Sequence, residues 1–434
     1  GARVTFNNCI FTFDDLANSC SALDITTNLT CSINGCSFIN NNNNNEDSKS
    51  ASLYYHPSNP NETISISSCL FNNCHNTGNN FKAFSIQAQN ELVFSYNEVQ
   101  NIGNDDTPSD GYIGEIVISN NEIVIDHCNF NNIVSSTKYG GGSSLRISKG
   151  ASSEPIYVKY ESCEWYDNHA VYTSDEGNRY NGVGGASQQG IDSSLRELTL
   201  TFDNCTFKRN RSDREGGALA IQTIKVVEIT NCFFKLNRAG VNLKESSKSS
   251  LLELPENVGC GGAIYIDPDF ENNNNVEVMP SFYIKRSLFI QNEAINGHAI
   301  YIRGGRRTDF IINEETVFTD NGKNGSTILC ESNNFFIDPN VIFNFTNSSE
   351  ASRPYDFYGP NVDAKYENLI FEDISSGGTN EEEGKVIHIP AGLKSVTIIN
   401  CTFINCGLSS NNGFVVTINN CQENIIYQDN VITF

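Results

Sequence analysis

A short pattern returns along the whole chain: a cysteine, any residue and an aromatic residue, followed by asparagine three positions later. Variant copies keep the aromatic residue and replace the cysteine or the asparagine. A unit of roughly 25 to 35 residues cannot bury its own apolar face, so successive units must stack on one another. The most regular copies begin at Cys36, Cys163, Cys205 and Cys232, and variants centre on Phe71, Phe130, Phe289, Phe318, Phe371 and Phe403.

Each unit also carries strand patterns on both sides of the cysteine. Glycine followed by alternating apolar residues comes after the aromatic, as in residues 216–221 (GGALAI), 261–266 (GGAIYI) and 297–302 (GHAIYI). Apolar residues two apart indicate strands with one buried face. Before the cysteine the apolar parity is even (Leu200, Phe202), whereas Cys205 and Phe207 are odd. This change of parity predicts a bend at each Asn-Cys or Ser-Cys step.

The sequence therefore predicts an all-β fold, a right-handed single-stranded parallel β-helix of about a dozen coils. At about 4.8 Å per coil the rod would be on the order of 60 Å long. We expect one domain over residues 1–434, with loop insertions near 40–62, 242–258 and 268–280. We also expect the segment to be the folded part of a longer precursor.

Two of the repeated tetrapeptides resemble a known family. Phe-x-x-Asn (Phe207 to Asn210, Phe234 to Asn237) together with Gly-Gly-Ala-Ile (261–264) is similar to the repeat of chlamydial polymorphic outer-membrane proteins. Large surface-protein families of protists such as trichomonads have similar repeats. The resemblance is specific between about residues 160 and 330, and it implies a surface-exposed β-helical region linked to adhesion. No segment matches the membrane β-barrel that ends the chlamydial proteins.

Composition limits the possible partners and the compartment. The formal net charge of −23 argues against nucleic acid, whose phosphates need a basic face. No stretch approaches the roughly 20 apolar residues of a membrane span. Fifteen cysteines beside one methionine favour an oxidising compartment, extracellular or at the cell surface.

Asparagines occupy two positions of the repeat. Those before the cysteine (Asn8, Asn204, Asn231, Asn400) and those after the aromatic are both expected to point inward, as ladders that satisfy backbone groups at the corners. The asparagines after the aromatic are Asn168, Asn210, Asn237, Asn292 and Asn321.

Eight Asn-x-Ser/Thr sequons are present in this asparagine-rich chain. Asn204 and Asn400 belong to the expected inward ladder and should carry no glycan. The better acceptors in a secreted protein lie in loop-like stretches: Asn28, Asn61, Asn324, Asn344 and Asn347.

The cysteines permit two structural interpretations. Those that share one repeat position could stack as small buried apolar residues, or they could bridge neighbouring coils. Three Cys-x4-Cys pairs could instead close locally: Cys31 with Cys36, Cys69 with Cys74, and Cys401 with Cys406. No cysteine or histidine spacing is typical of zinc, so we expect no metal and no cofactor.

Tyr265 and Tyr301 occupy equivalent outward positions one unit apart. Exposed and stacked, they would form a stripe that binds a sugar or a protein, because aromatic residues are enriched at interfaces. The alternative is that they pack beneath the insertions near 242–258 and 268–280.

An enzyme is the less favoured hypothesis. β-Helices that cleave acidic polysaccharides need clustered carboxylates with basic residues on one exposed face. The basic residues Arg303, Arg306 and Arg307 have no adjacent acid pair in the sequence, and Asp267 and Asp269 are typical of a solvated turn.

We therefore expect a non-enzymatic rod for adhesion, surface display or assembly into an extracellular fibre. Its partners would be a host or neighbouring-cell surface, a glycan, or copies of itself. The alternative is a carbohydrate-active β-helix: a polysaccharide lyase or hydrolase, or a glycan-binding module.

Overall fold

The computed structural model describes the chain in segments, and within them it contains strands and no helix, so none of them holds a helix that could cross a membrane. The described segments are 3–12, 21–43, 52–57, 62–76, 83–88, 91–103, 113–118, 122–135, 145–149, 155–172, 182–189, 198–222, 224–240, 259–267, 281–313, 315–322, 325–344, 353–358, 362–372, 386–389, 391–406, 415–419 and 421–433.

The first face of the molecule is a long parallel sheet that takes one strand from each coil. It comprises β1 (Arg3–Asn7), β4 (Thr30–Asn34), β8 (Thr63–Ser67), β12 (Glu91–Ser95), β15 (Glu122–Asp126), β18 (Ile156–Glu161), β22 (Leu198–Asp203), β26 (Val226–Thr230), β30 (Ser281–Lys285), and the second parts of β32 (Ile300–Asn313) and β34 (Ser326–Ile337). A separate sheet of β37 (Asp363–Glu367), β40 (Ser395–Ile399) and β43 (Ile425–Gln428) follows in the last coils.

The second face is built in the same way from shorter strands. Its members are β2 (Ile10–Thr12), β5 (Ser37–Ile39), β9 (Leu70–Asn72), β13 (Glu98–Ile102), β16 (Asn129–Ser135), β19 (Glu164–Tyr166), β23 (Thr206–Lys208), β27 (Phe233–Lys235), β31 (Leu288–Ile290), β33 (Val317–Thr319) and β35 (Ile342–Asn344), then β38 (Ile370–Glu372), β41 (Thr402–Ile404) and β44 (Val431–Thr433).

The third face completes each coil. It contains β3 (Leu23–Thr27), β7 (Leu53–Pro57), β11 (Phe84–Ala88), β14 (Gly114–Ile118), β17 (Leu145–Lys149), β21 (Ser187–Gln189), β25 (Leu219–Gln222), β29 (Ile264–Asp267), the first parts of β32 and β34, β36 (Arg353–Phe357), β39 (Ile387–Ile389) and β42 (Val416–Ile418). Two-residue strands lie before it: β6 (Asn42–Asn43), β10 (His75–Asn76), β20 (His169–Ala170), β24 (Arg211–Ser212) and β28 (Arg238–Ala239).

These strands form thirteen three-sided coils and a fourteenth with strands on two faces, counted over the described segments. The predicted parallel β-helix of about a dozen coils is confirmed. Right-handed crossovers are the rule for such parallel connections. The predicted insertion near 40–62 is partly wrong, since β7 within it is a regular strand of the third face. Residues 242–258 and 268–280 lie outside the described segments.

Like residues stack along the axis because the coils pair in register. Phe207 lies on Phe234 and Phe234 on Phe289, with ring centroids 4.7 Å apart in both pairs and the rings within 5° of parallel. The inward residues of all three faces form one continuous apolar core, from Ile25 to Val415. Its continuity is what makes a stack of individually unstable units stable.

Two left-handed corner residues turn the chain on either side of the second face. The first has φ between 44° and 58° where it is not glycine, as at Ser162 and Asn204, and the residue after it points inward. We call that inward position the first-corner slot; Cys163 and Cys205 occupy it. The second corner residue, such as Arg209 or Leu236, precedes the second-corner slot, which holds Asn210 and Asn237. The predicted bends before the cysteines are confirmed.

The direction of the corner asparagines differs from the prediction. Asn8, Asn204, Asn231 and Asn400 are exposed, not inward. Because each adopts the left-handed conformation, its side chain is turned outward and the following residue is turned in. Asn204 Nδ2 donates to Ser162 Oγ (3.0 Å), and Asn400 Nδ2 donates to Asn368 Oδ1 (2.9 Å), so these amides form a surface ladder.

The second-corner slot does contain the predicted buried ladder. Asn168, Asn210, Asn237, Asn292 and Asn321 are each at most 1% exposed. Successive amides are joined by Nδ2–Oδ1 hydrogen bonds of 2.9 to 3.0 Å. Each amide also reaches backbone groups of the preceding coil, which would otherwise be buried without partners.

Candidate functional site

Among the described residues, the greatest concentration of buried ionisable groups lies on the outer side of the third face, in coils seven to ten. Tyr265 and Tyr301 stand there in register, with ring centroids 5.8 Å apart and planes 16° from parallel. The predicted exposure of this stripe is wrong, since each tyrosine is only 3% exposed. They pack in a second apolar cluster with Val183, Ala220, Cys260 and Leu329, so their faces are closed to a ligand.

The two phenols are hydrogen-bonded to carboxylates. Tyr265 donates its hydroxyl to Asp267 Oδ2 (3.2 Å), and Tyr301 donates to Glu331 Oε1. Arg303 Nη1 lies 3.2 Å from the same Asp267 oxygen. Arg303, which has no acid pair near it in sequence, therefore has one in space. Arg306, Arg307 and Asp269 have side chains outside the described set.

Glu215 joins this group from the coil before Asp267. Its Oε1 lies 3.2 Å from Arg214 Nη2, while its Oε2 is buried without a hydrogen-bond partner. The residue is 4% exposed, and Asp267 is 2% exposed. We call the following seven residues the buried ionisable cluster: Arg214, Glu215, Tyr265, Asp267, Tyr301, Arg303 and Glu331.

Stacked glycines set the geometry of the cluster. A Cβ on Gly217 would lie 2.0 Å from the carbonyl oxygen of Gly262, and one on Gly262 would lie 2.0 Å from that of His298. Only glycine permits this approach, which explains the repeated Gly-Gly pair. Glu215 directly precedes the first pair, and Cys260 precedes its equivalent one coil later, so their side chains are held beside each other at a tight turn.

Burial changes the acidity of the Glu215 carboxyl. Burial raises the pKa of Glu215 from 4.5 to about 7; Asp267 adds to the rise, and Arg214 and Arg303 oppose it. Burial also raises the pKa of Tyr265 and Tyr301, and nearby carboxylates strengthen that effect. A carboxyl with a raised pKa beside an arginine-paired carboxylate is chemically able to exchange a proton near neutral pH.

A second buried pair joins the sixth coil to the seventh. His169 Nε2 is 2.9 Å from Asp213 Oδ1, and Asp213 Oδ2 accepts the backbone N–H of Tyr172 (2.8 Å). Arg214 lies over the Tyr172 ring, 5.8 Å from its centroid, and so connects this pair to the buried ionisable cluster. No group of three metal-ligating side chains occurs within the described segments.

None of the predicted local disulfides is present. Cys31, Cys36, Cys69, Cys74 and Cys401 are free thiols, and Cys406 donates its thiol to the Phe371 carbonyl (3.4 Å). Cys69 and Cys74 flank β9, and its three residues alone, at about 3.3 Å each, span roughly 10 Å, which is beyond the reach of a disulfide. Burial raises the pKa of Cys31, Cys69 and Cys74 to about 11, which makes them unreactive.

The predicted glycan acceptors divide into two groups. Asn28, in the turn before β4, and Asn344, at the end of β35, are exposed. Asn61, Asn324 and Asn347 lie outside the described segments. Asn210 is a fully buried sequon, whereas Asn204 and Asn400 are exposed and hydrogen-bonded along the surface ladder. Modification of Asn28 and Asn344 stays a prediction.

Comparison of the chain with protein-family models, curated proteins and solved structures gave no match.

Proposed function

We propose that the chain is a non-enzymatic, extracellular or cell-surface β-helical rod that serves adhesion, surface display or assembly into an extracellular fibre. The observation that carries the proposal is the direction of the repeated residues. The stacked aromatics and the amides of the second-corner slot all point into the core, so the repeat specifies the scaffold alone. The outward positions are free to differ from coil to coil, as a display surface requires.

The surface is consistent with this role. Adjacent outward positions on the first face change character with each coil, as in Lys159, Thr201, Glu228 and Tyr283. The net charge of −23 keeps such a body soluble and apart from its copies. The exposed sequons at Asn28 and Asn344 and the resemblance to surface-protein repeats favour the extracellular location. Candidate partners are a host or neighbouring-cell surface, a glycan, or another copy of the chain.

Burial disfavours an enzyme in this conformation. The carboxyls of Glu215 and Asp267 are the best candidates for acid–base chemistry among the described residues, yet both are nearly inaccessible. A polysaccharide chain would have to reach them through the apolar cluster that packs around Tyr265 and Tyr301.

A glycan array and cell-binding measurements test the proposal when they are run beside a turnover assay on polygalacturonate. We expect saturable binding to a cell or glycan, or filaments in the electron microscope, without turnover. Turnover that disappears in Asp267→Asn but persists in the exposed control Glu228→Gln would contradict the proposal. A chain with neither binding, filaments nor turnover would also count against it.

The second candidate is a carbohydrate-active β-helix, and one observation favours it: the Glu215 carboxyl, whose pKa is raised, lies on the same face as the Asp267 carboxylate that pairs with Arg303. This arrangement is typical of sites that protonate or cleave a glycosidic bond. The same assay separates the candidates, because only the second requires the Asp267 carboxylate for activity.

A further inference from the structure

Carboxyls outnumber guanidinium groups among the described members of the buried ionisable cluster. Within the described residues, two guanidinium groups (Arg214 and Arg303) face three carboxyls (Glu215, Asp267 and Glu331). A buried charge without a counter-charge is costly, and a carboxyl in that position takes up a proton instead. Among buried carboxyls, the one with the fewest hydrogen-bond donors is therefore the one expected to be neutral.

Hydrogen bonding identifies which one. Asp267 accepts from the Tyr265 hydroxyl and lies against Arg303, and Glu331 accepts from the Tyr301 hydroxyl. The Glu215 carboxyl has Arg214 at Oε1 and a contact with its own backbone N–H, while its Oε2 is buried with no donor. An ionised carboxylate needs donors at both oxygens, so the charged form of Glu215 is the least supported.

We propose that Glu215 binds a proton in the folded rod below neutral pH, and that its ionisation loosens the third face around coils seven to nine. The protonation state of Glu215 then makes the stability of this part of the third face depend on pH. The proposal is independent of what the rod binds. It concerns how firmly the coils hold together in acidic and in neutral surroundings.

The groups facing Glu215 from each neighbouring element support this role. Arg214 lies on its own segment, Tyr265 and Asp267 come from β29, Cys260 precedes β29, and Arg303 comes from β32. In the preceding coil, residues 182–189 carry no titratable side chain, whereas His169 pairs with Asp213 and Tyr172 lies under Arg214. The rise of the Glu215 pKa to about 7, caused first by burial, agrees with the charge count.

The structure also indicates how ionisation would be transmitted. Gly184 N–H donates to the Glu215 carbonyl (2.9 Å), and Gly216 N–H donates to the Cys260 carbonyl (2.9 Å). Glu215 thus lies between two backbone hydrogen bonds that join three successive coils. A charged carboxylate that moves outward to reach water would strain both bonds. Strands β25 and β29 would consequently open more often.

The sign of the effect follows from linkage. The folded-state pKa of Glu215 lies above its unfolded value, so the stabilisation is fully present below about pH 4.5 and is lost as pH rises through about 7. The rise from 4.5 to about 7 corresponds to an increase of about 300-fold in the unfolding equilibrium constant.

The test compares the wild type with Glu215→Gln, which mimics the protonated carboxyl, in chemical denaturation from about pH 4.5 to about pH 8. The ratio of the two unfolding constants should change by about 150-fold over this range, because the unfolded-state carboxyl is already half ionised at pH 4.5. Glu228→Gln removes an exposed outward glutamate on β26 and should leave the wild-type pH dependence unchanged. Hydrogen exchange, corrected for its intrinsic pH dependence, should show faster opening of β25 and β29 at pH 8 in the wild type only.

Two results would overturn the proposal. One is a wild type and a Glu215→Gln variant with parallel pH dependence. The other is an infrared spectrum of the wild type at pH 5.5 without a band from a buried protonated carboxyl, relative to the spectrum at pH 8.5. The infrared measurement needs no variant, so a Glu215→Gln chain that fails to fold leaves the proposal testable.

Discussion

The side chains of the two corner slots both contact backbone groups of the preceding coil, but they do so with different chemistry. In the second-corner slot, Asn237 donates to the Phe207 carbonyl (3.0 Å) and accepts the backbone N–H of Asn210 (3.1 Å). In the first-corner slot, Cys205 makes longer thiol contacts of 3.4 Å to the carbonyls of Tyr160 and Asp203. The amide satisfies a donor and an acceptor of the preceding coil, whereas the thiol reaches acceptors only.

Asparagines that occupy the first-corner slot show what this difference in hydrogen bonding means. Asn97 occupies that slot in the fourth coil, where its Oδ1 accepts the backbone N–H of Cys69 (2.9 Å) and its Nδ2 donates to the Ile66 carbonyl (2.9 Å). These are the bonds that Asn237 makes in the other slot. The position therefore accepts an amide, as it does again at Asn430, whereas in other coils, such as that of Cys205, a thiol fills it as a small side chain.

The largest effect should come from removing one amide of the buried ladder. Asn237→Ala leaves the Asn210 backbone N–H, the Asn210 side-chain amide and the Phe207 carbonyl without their partner. We expect a loss of about 4 kcal/mol in the free energy of unfolding. Chemical denaturation measures it, and Asn231→Gly, at an exposed left-handed corner of the same coil, should change stability by less than about 1 kcal/mol. Equal losses in the two variants would remove the distinction between buried and surface amides.

Removing one thiol from the first-corner slot should cost less. Cys205→Ala gives up weak sulfur contacts and a small buried volume, so we expect a loss of about 1 kcal/mol. The same denaturation experiment compares this loss in the free energy of unfolding with the loss in Asn237→Ala. A loss that matches Asn237→Ala would mean that the thiol ladder contributes as much as the amide ladder.

Replacement of a thiol by an amide within the first-corner slot should have a still smaller effect on the free energy of unfolding. Cys128 follows Asn97 in the stack, and its thiol reaches the Phe94 carbonyl (3.6 Å). In Cys128→Asn the new amide can donate to that carbonyl and accept from Asn97, so we expect a change within about 1 kcal/mol of zero. Failure to fold would show that the first-corner slot is selective for sulfur.

Labelling of thiols should leave stability unchanged and mark only the ends of the described chain. Cys9 and Cys421 are partly exposed, and the other described cysteines are buried. In the folded protein we expect a thiol reagent to modify these two alone among the described cysteines, as read by peptide mapping. Rapid modification of Cys163 or Cys232 would mean that the first-corner slot opens locally.

Most of the fold was predictable because its pattern is local. In each coil the first corner follows from a change in apolar parity, such as that between Phe202 and Cys205. The second corner follows from the spacing between the aromatic residue and the asparagine, such as Phe207 and Asn210. The direction of Asn204 was not predictable from parity, since one left-handed residue between two strands is enough to turn its side chain outward. A parity count alone cannot tell which of two adjacent residues takes that conformation.

The buried ionisable cluster could not be predicted for a different reason. Glu215, Asp267, Arg303 and Glu331 come from four successive coils, and connections of unequal length separate them in sequence. The contacts among these residues depend on the register of β25, β29, β32 and β34. That register cannot be read from the sequence, because the turns between the strands vary in length. The one local signal was an acidic residue directly before a glycine pair.

The constant first corner has a consequence for how such a protein can vary. From β1 to β31 two residues always separate the first face from the second, whereas the other two connections of a coil differ widely in length. The edge of the rod between the first and second faces, called the spine here, is thus constant in length from β1 to β31. Differences in length occur along the other two edges. Lineages of such proteins would diversify by elongating those two margins or by duplicating entire coils. Inserted epitopes or reporter peptides should be tolerated there and rejected at the spine.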